Sequence, residues 1–342
     1  MNQPYNIDYI AGQYGLTVKY AEEYGRVYKL YTDKGSFALK RIQAKHGVDF
    51  LQYIQLLYQR GYHRIVPVYP TMDGRYGVLV HRHLFYLMPW LDDREREGQY
   101  KKGIELFREL ARLHSITARE VDISESERKE HFDRTAARWE KEKEALEQYI
   151  ERAEQNVYMS PFQLLFCMLY HEIALAQNYS IRKLHEWFEV TKEQTKGRSV
   201  IVHGKVSSDH FLYDENGKGY FINFESTRTA SPIQDLLPFL SRSLSTYPNK
   251  FHEGLEWLSI YLKYFPFQKE EMLLFLGYLA HPEGAIHVVD QYFSAGKKKN
   301  EYQFVRELQK QYWYLKNTEY LVMNIEQMEQ QKSEENEPPP SG

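Results

Sequence analysis

A short β island at residues 199–224 interrupts a long helical stretch of the chain. It contains the hairpin turn Asp214-Glu215-Asn216-Gly217. Upstream, Ile104, Leu106, Phe107, Leu110, Ala111 and Leu113 recur at helical spacing and end at His114. Helical periodicity resumes at Pro161 and again from Asp235 to about Met328. The first ninety residues are different again. Val27–Tyr31 and Ser36–Lys40 alternate around the turn Thr32-Asp33-Lys34-Gly35 and predict a β-hairpin. Val48–Leu57 is helical in spacing, and Val66-Pro67-Val68, Tyr76–Val80 and Leu84–Trp90 are strand-like. The expected fold class is α+β with two lobes: a β-rich lobe over residues 1–91 and a mainly helical lobe over 92–328 that carries the island. Leu91–Glu95 is expected to be a polar hinge, and 329–342, with its Glu and Pro runs, a disordered tail.

The chain's 44 Lys+Arg and 47 Asp+Glu leave a charge of −3, which argues against nucleic acid as a partner. With 42% hydrophobic residues a disordered chain is excluded. Met1–Gly15 lacks a basic and then apolar leader, and no run is expected to span a membrane, so synthesis and folding in the cytosol are expected. The single cysteine, Cys167, forbids an internal disulfide and a cysteine zinc site, and its apolar surroundings predict a buried helix face. The 29 tyrosines suit contacts with other proteins or a lineage bias in composition.

The island's residues carry the chemistry. Val200-Ile201-Val202-His203-Gly204-Lys205, His210-Phe211-Leu212-Tyr213 and Tyr220-Phe221-Ile222-Asn223-Phe224-Glu225 closely resemble the catalytic segment of the aminoglycoside phosphotransferase and choline kinase-like families. Leu110–His114 resembles the helix end those families place before that loop. The resemblance implies a two-lobed protein-kinase-like fold. It also implies a phosphate-binding role for Lys40 and, for Asp235 with His203, support of the loop. In active members the loop reads His-Gly-Asp, followed by a metal-holding Asn and Asp. Here those three positions are Lys205, His210 and Asn223, so a carboxylate becomes a cation, an amide an imidazole, and a second carboxylate an amide.

Mg²⁺ requires hard, mostly anionic oxygens, and Glu225 is the only obvious carboxylate left. A Lys ammonium about 5 Å from Mg²⁺ would be repelled by roughly 6 kcal/mol at an effective dielectric of about 20. No metal site and no cofactor are therefore expected, and catalysis is expected to be absent. Two other readings stay open. Catalysis could have moved to Asp209, with Glu225 holding a metal, or ATP could bind without a metal on Lys40 and Lys205. The helix after Lys40 offers only Asp49 as an acid, which leaves the lysine without a certain partner.

Tyr86-Leu87-Met88-Pro89-Trp90-Leu91, Gly61–Pro67 and Asp73-Gly74-Arg75 look like bacterial endospore coat-associated proteins of the CotS type. That resemblance implies synthesis in the mother cell, deposition in the spore coat, other spore coat proteins as partners and a structural role. A small-molecule ligand stays uncertain. The alternative is an ATP-dependent phosphotransferase acting on a small hydroxyl-bearing substrate. Gly296-Lys297 does not continue as a Walker loop, and Lys297-Lys298-Lys299 is expected to be a solvated helix end. Gln330-Gln331-Lys332 is either an accessible crosslinking point or part of a solubilising tail.

Overall fold

The computed structural model describes residues 5–44, 49–91, 98–244, 251–294 and 300–335. After the short helix α1 (Ile7–Gly12) come β1 (Val18–Tyr24), β2 (Val27–Thr32), β3 (Gly35–Gln43), helix α2 (Phe50–Gln59), β4 (Val78–Val80) and β5 (His83–Pro89). The strands form one antiparallel sheet in the order β1-β2-β3-β5-β4. The expected hairpin is present, with Thr32 opposite Gly35 across a two-residue turn. An earlier turn, which the sequence reading did not find, joins β1 to β2 through Gly25 at φ 62°.

Alternation along β2 puts Tyr28 and Leu30 into the core with Ile10, Leu16, Leu39, Phe85 and Leu87. Each such apolar side chain contributes about 1.5–3 kcal/mol on full burial. Val66-Pro67-Val68 forms no strand. Its flanks make isolated bridges, Ile65 with Phe221 and Tyr69 with Leu87, because Pro67 has no N–H to extend a ladder.

The remaining elements are α3 (Gln99–Thr117), β6 (Arg119–Asp122), α4 (Glu125–Glu154), α5 (Pro161–Thr191), β7 (Lys196–Val202), β8 (Phe211–Tyr213), β9 (Gly219–Phe221), β10 (Arg228–Ala230), α6 (Ile233–Ser243), α7 (His252–Tyr264), α8 (Lys269–Ala280), α9 (Glu283–Ser294) and α10 (Glu301–Glu335). This is the expected α+β, two-lobed architecture, with a small antiparallel sheet in the N-lobe and a helical C-lobe.

Contacts divide the chain into one unit of residues 1–118 and 199–235 and a second of 119–198 and 236–342. The β island therefore groups with the N-terminal residues and not with the helices around it in sequence. Its attachment is hydrogen-bonded: Val66 N–H donates to Phe221 O at 3.0 Å, and Phe221 N–H donates to Arg64 O at 2.9 Å. Helix α3, which follows the lobe boundary expected at Leu91, is grouped by contacts with the first unit. Most of the expected hinge, from Asp92 to Glu95, lies outside the described residues, as do Gly296–Lys299 and the first residue of the helical run at Val48.

In the second unit, capping boxes start α4 (Ser124 with Glu127) and α5 (Ser160 with Gln163, Pro161 following). The charged run of α4 is mostly outward, but Trp139 within it is fully buried and stacks on His281 at 4.6 Å. Cys167 is half-buried against the core of Phe162, Phe166 and Val289, and burial pushes its thiol up.

One stretch, Lys269–Ser294, is long and apolar enough to cross a membrane by length and composition, contrary to the expectation of no such run. It consists of α8 and α9, which break at His281-Pro282, and 67% of its most apolar window is buried among the protein's own residues. Helix α10 extends to Glu335, so residues 329–335, assigned to the tail from sequence, are helical. Glu, Gln and Lys are good helix formers, and Lys332 pairs with Glu329 there at 2.7 Å. Residues 336–342 lie outside the described residues.

Candidate functional site: a braced loop and a closed lysine

All the singled-out residues, Lys40, His203, Lys205, His210, Asn223, Glu225 and Asp235, belong to the first unit. The loop after β7 is held from beneath by Asp235. One carboxylate oxygen accepts the His203 N–H and the other the Gly204 N–H, each at 2.7 Å. His114, at the end of α3, reaches the first of these oxygens through Nε2 at 3.2 Å. Asp235 and His114 are fully buried at their side chains. Burial works to raise the Asp235 carboxyl, yet its bonds to His114 and the loop amides hold it below the ordinary carboxylate range.

His203 is also buried. Its Nδ1 accepts the Lys205 N–H at 3.2 Å, so Nε2 carries the proton and donates to Ile222 O at 2.7 Å. Burial pulls its pKa down and keeps the ring neutral. Gly204 has φ +77°, and a Cβ there would lie 2.3 Å from Ser226 O, so only glycine fits this close approach. Asp235 and His203 are the side chains that hydrogen-bond the loop backbone in this geometry.

Lys40 lies in the middle of β3, directly opposite Tyr86 of β5. Its ammonium forms an ion pair with Glu225 and donates to the side-chain carbonyl of Asn223. The Tyr86 hydroxyl donates to the same Glu225 oxygen. Lys40 and Glu225 are only 11% and 14% exposed at their side chains, so the pair is largely desolvated. Burial draws the Lys40 pKa down, opposed by Glu225. For Glu225, burial pushes upward but is overcome by Lys40 and Tyr86, so the carboxylate stays ionised. The partner missing from the helix after Lys40 is thus supplied by Glu225, from a turn far along the chain.

Asn223 occupies the left-handed region at φ 69°, ψ 49°, which Asn tolerates better than most residues. It holds the turn while lacking the charge of the Asp found there in active relatives. Lys205 is exposed, and no ion pair involves it among the described residues. His210 sits in a 3-10 turn with its Nδ1–H donating to Lys205 O at 2.7 Å, and burial lowers its pKa. Asp209 beside it is exposed and does not line the cleft that holds Lys40, which weakens the reading in which it serves as a displaced base.

That cleft has a volume of about 770 Å³ and is lined by Arg26, Lys40, Lys205, Asn223 and Glu225, with Trp90 among its apolar walls. Tyr24, also in the lining, lies with its ring centroid 5.8 Å from that of Trp90. Sequence reasoning missed Tyr86 and Arg26. Tyr86 becomes visible only through the β3–β5 register, and Arg26 only once the β1–β2 turn is known.

A magnesium ion does not fit this donor set. The carboxylate oxygen of Glu225 that faces Lys40 already takes two donors, Lys40 and Tyr86, the Asn223 carbonyl accepts from the same Lys40 ammonium, and Lys205 adds an opposing charge. No group of three or more His, Cys, Asp or Glu able to hold a metal occurs among the described residues.

Comparison with known proteins agrees with this geometry at the level of family and fold. No curated protein matches the chain. Among solved structures, an aminoglycoside phosphotransferase from Alicyclobacillus acidocaldarius is similar over 96% of this chain and 97% of its own, with a TM-score of 0.71 and 16% identity. Spectinomycin phosphotransferase, APH(9)-Ia, solved with ADP and spectinomycin, is similar over 95% of this chain and 100% of its own, with a TM-score of 0.52 and 12% identity. At such identities the likeness is one of fold. The phosphotransferase enzyme family itself matches residues 21–263, which include the braced loop, Lys40 and Glu225, and the chain belongs to that family.

Proposed function

We propose that this chain is a phosphotransferase-family protein that has lost metal-dependent phosphotransfer and serves as a structural, spore coat-associated component. The observation that carries the loss is the closed Lys40–Glu225–Asn223–Tyr86 network beside a cation at the base position, Lys205. Losing a general base alone costs about 10²–10⁴ in rate. The coat role is supported by the motif resemblance to the CotS type, within which the His203-Gly204-Lys205 and Asn223-Phe224-Glu225 combination looks most similar to the coat-associated protein YutH.

Tyrosines contribute to both the core and the surface. Tyr28, Tyr62, Tyr86 and Tyr261 are buried, whereas Tyr20, Tyr158 and Tyr302 are 60%, 93% and 71% exposed and available to other coat proteins. On this reading the protein is made in the mother-cell cytoplasm, is deposited in the coat, and needs no cofactor, with ATP at most a metal-free ligand.

A second reading is supported by the family match and by the retained Lys40 in a cleft large enough for a ligand: an ATP-dependent phosphotransferase of a small hydroxyl-bearing substrate. Comparing Mg²⁺-dependent ATP binding and turnover in the native chain with the triple substitution Lys205→Asp, His210→Asn, Asn223→Asp separates the two. The structural reading expects neither in the native chain and recovered Mg-ATP binding in the triple variant. Mg²⁺-dependent turnover by the native chain would overturn it.

A further inference from the structure

We infer that the Glu225 carboxylate acts as an internal substitute for a ligand oxyanion, an autoinhibitory contact that keeps Lys40 from binding phosphate. The inference rests on the reading that the cleft takes no metal. Three observations carry it. The Lys40 ammonium, already desolvated, has its charge compensated from within the chain by Glu225. Glu225 is in turn held by the Tyr86 hydroxyl and by the tight turn that follows left-handed Asn223. Any oxyanion that uses Lys40 must therefore displace a carboxylate that is already positioned.

The cleft nevertheless favours anions. Arg26 and Lys205 line it, both exposed and without an ion pair among the described residues, so it presents three cations against one carboxylate. The ligand class is a compact polyphosphate oxyanion free of metal, held by Arg26 and Lys205 and excluded from Lys40 by Glu225. Glu225→Gln keeps the shape of the side chain and its ability to accept from Lys40, but removes the competing charge.

The test is calorimetric titration of the full chain with sodium tripolyphosphate in EDTA, repeated with ATP to see whether the nucleoside adds affinity. Glu225→Gln is expected to bind tripolyphosphate at least about tenfold more tightly than the native chain. The gain should vanish in the double variant Lys40→Met, Glu225→Gln. An unchanged affinity in folded Glu225→Gln, or a gain that survives loss of Lys40, would overturn the inference. If Glu225→Gln does not fold, Glu225→Asp serves, since its shorter reach loosens the contact: a smaller gain supports the inference, and no change overturns it. Mg²⁺-dependent ATP binding by the native chain would defeat the metal-free reading and leave the EDTA comparison of variants as a separate result.

Discussion

Two regions a few residues apart in the first unit have kept different things. The brace under the loop joins His114, His203, Gly204 and Asp235 by hydrogen bonds, and its His114, His203 and Asp235 are buried. The positions it displays, Lys205, His210 and Asn223, differ from the Asp, Asn and Asp of the families that the segment resembles. The brace fixes the backbone of the loop whatever side chains the loop displays, so its loss would affect folding. Of the displayed positions, Lys205 is exposed and makes no ion pair among the described residues, whereas Asn223 and His210 also bond within the site. The difference teaches that the carboxylate that holds the loop, Asp235, is separable from the positions on which the proposed loss of phosphotransfer rests.

This contrast can be broken most forcefully at Asp235. Asp235→Ala removes the acceptor of the His203 and Gly204 N–H groups and of His114 Nε2, and should cost about 3–5 kcal/mol in urea denaturation. Gly204→Ala should cost about 2 kcal/mol or more, through its positive φ and the contact with Ser226 O, measured the same way.

Acid gives a graded version of the same contrast. Asp235 and Glu225 are held below their ordinary values, so their stabilisation is complete above the unfolded carboxylate pKa of about 4 and is lost as pH falls through the folded values. The stability-against-pH curve of Asp235→Asn should be flatter below about pH 4 than that of the native chain. At the other extreme, Lys205→Ala removes an exposed side chain and should change stability by no more than about 0.5 kcal/mol. A larger loss there would mean that Lys205 is part of the brace.

Much of the site was legible from the sequence because its landmarks are local motifs. His203-Gly204-Lys205, Asn223-Phe224-Glu225 and Asp235 could be ordered along the chain and compared with the family pattern, and the capping box of Ser124 with Glu127 predicted the start of α4 correctly. What escaped depends on pairing between distant segments. Lys40 seemed to lack a partner because its partner, Glu225, comes from the β island, and Tyr86 joins the network only through the register of β3 with β5. The pairing of the island with the first unit escaped for the same reason: Phe221 meets Arg64 and Val66 through backbone bonds that no local pattern reveals. Residues 329–335 were assigned to the tail on composition, yet a Glu- and Gln-rich run continues a helix as readily as it ends one.

The most direct test of the central claim, that the family fold persists here without metal-dependent nucleotide binding, is a thermal-shift titration of the purified chain with ATP, with and without Mg²⁺. Any ligand that binds the native state raises Tm in a saturable way. The account predicts no Mg²⁺-dependent rise at millimolar ATP, and at most a small rise that is the same in EDTA. A saturable rise that requires Mg²⁺ would contradict it.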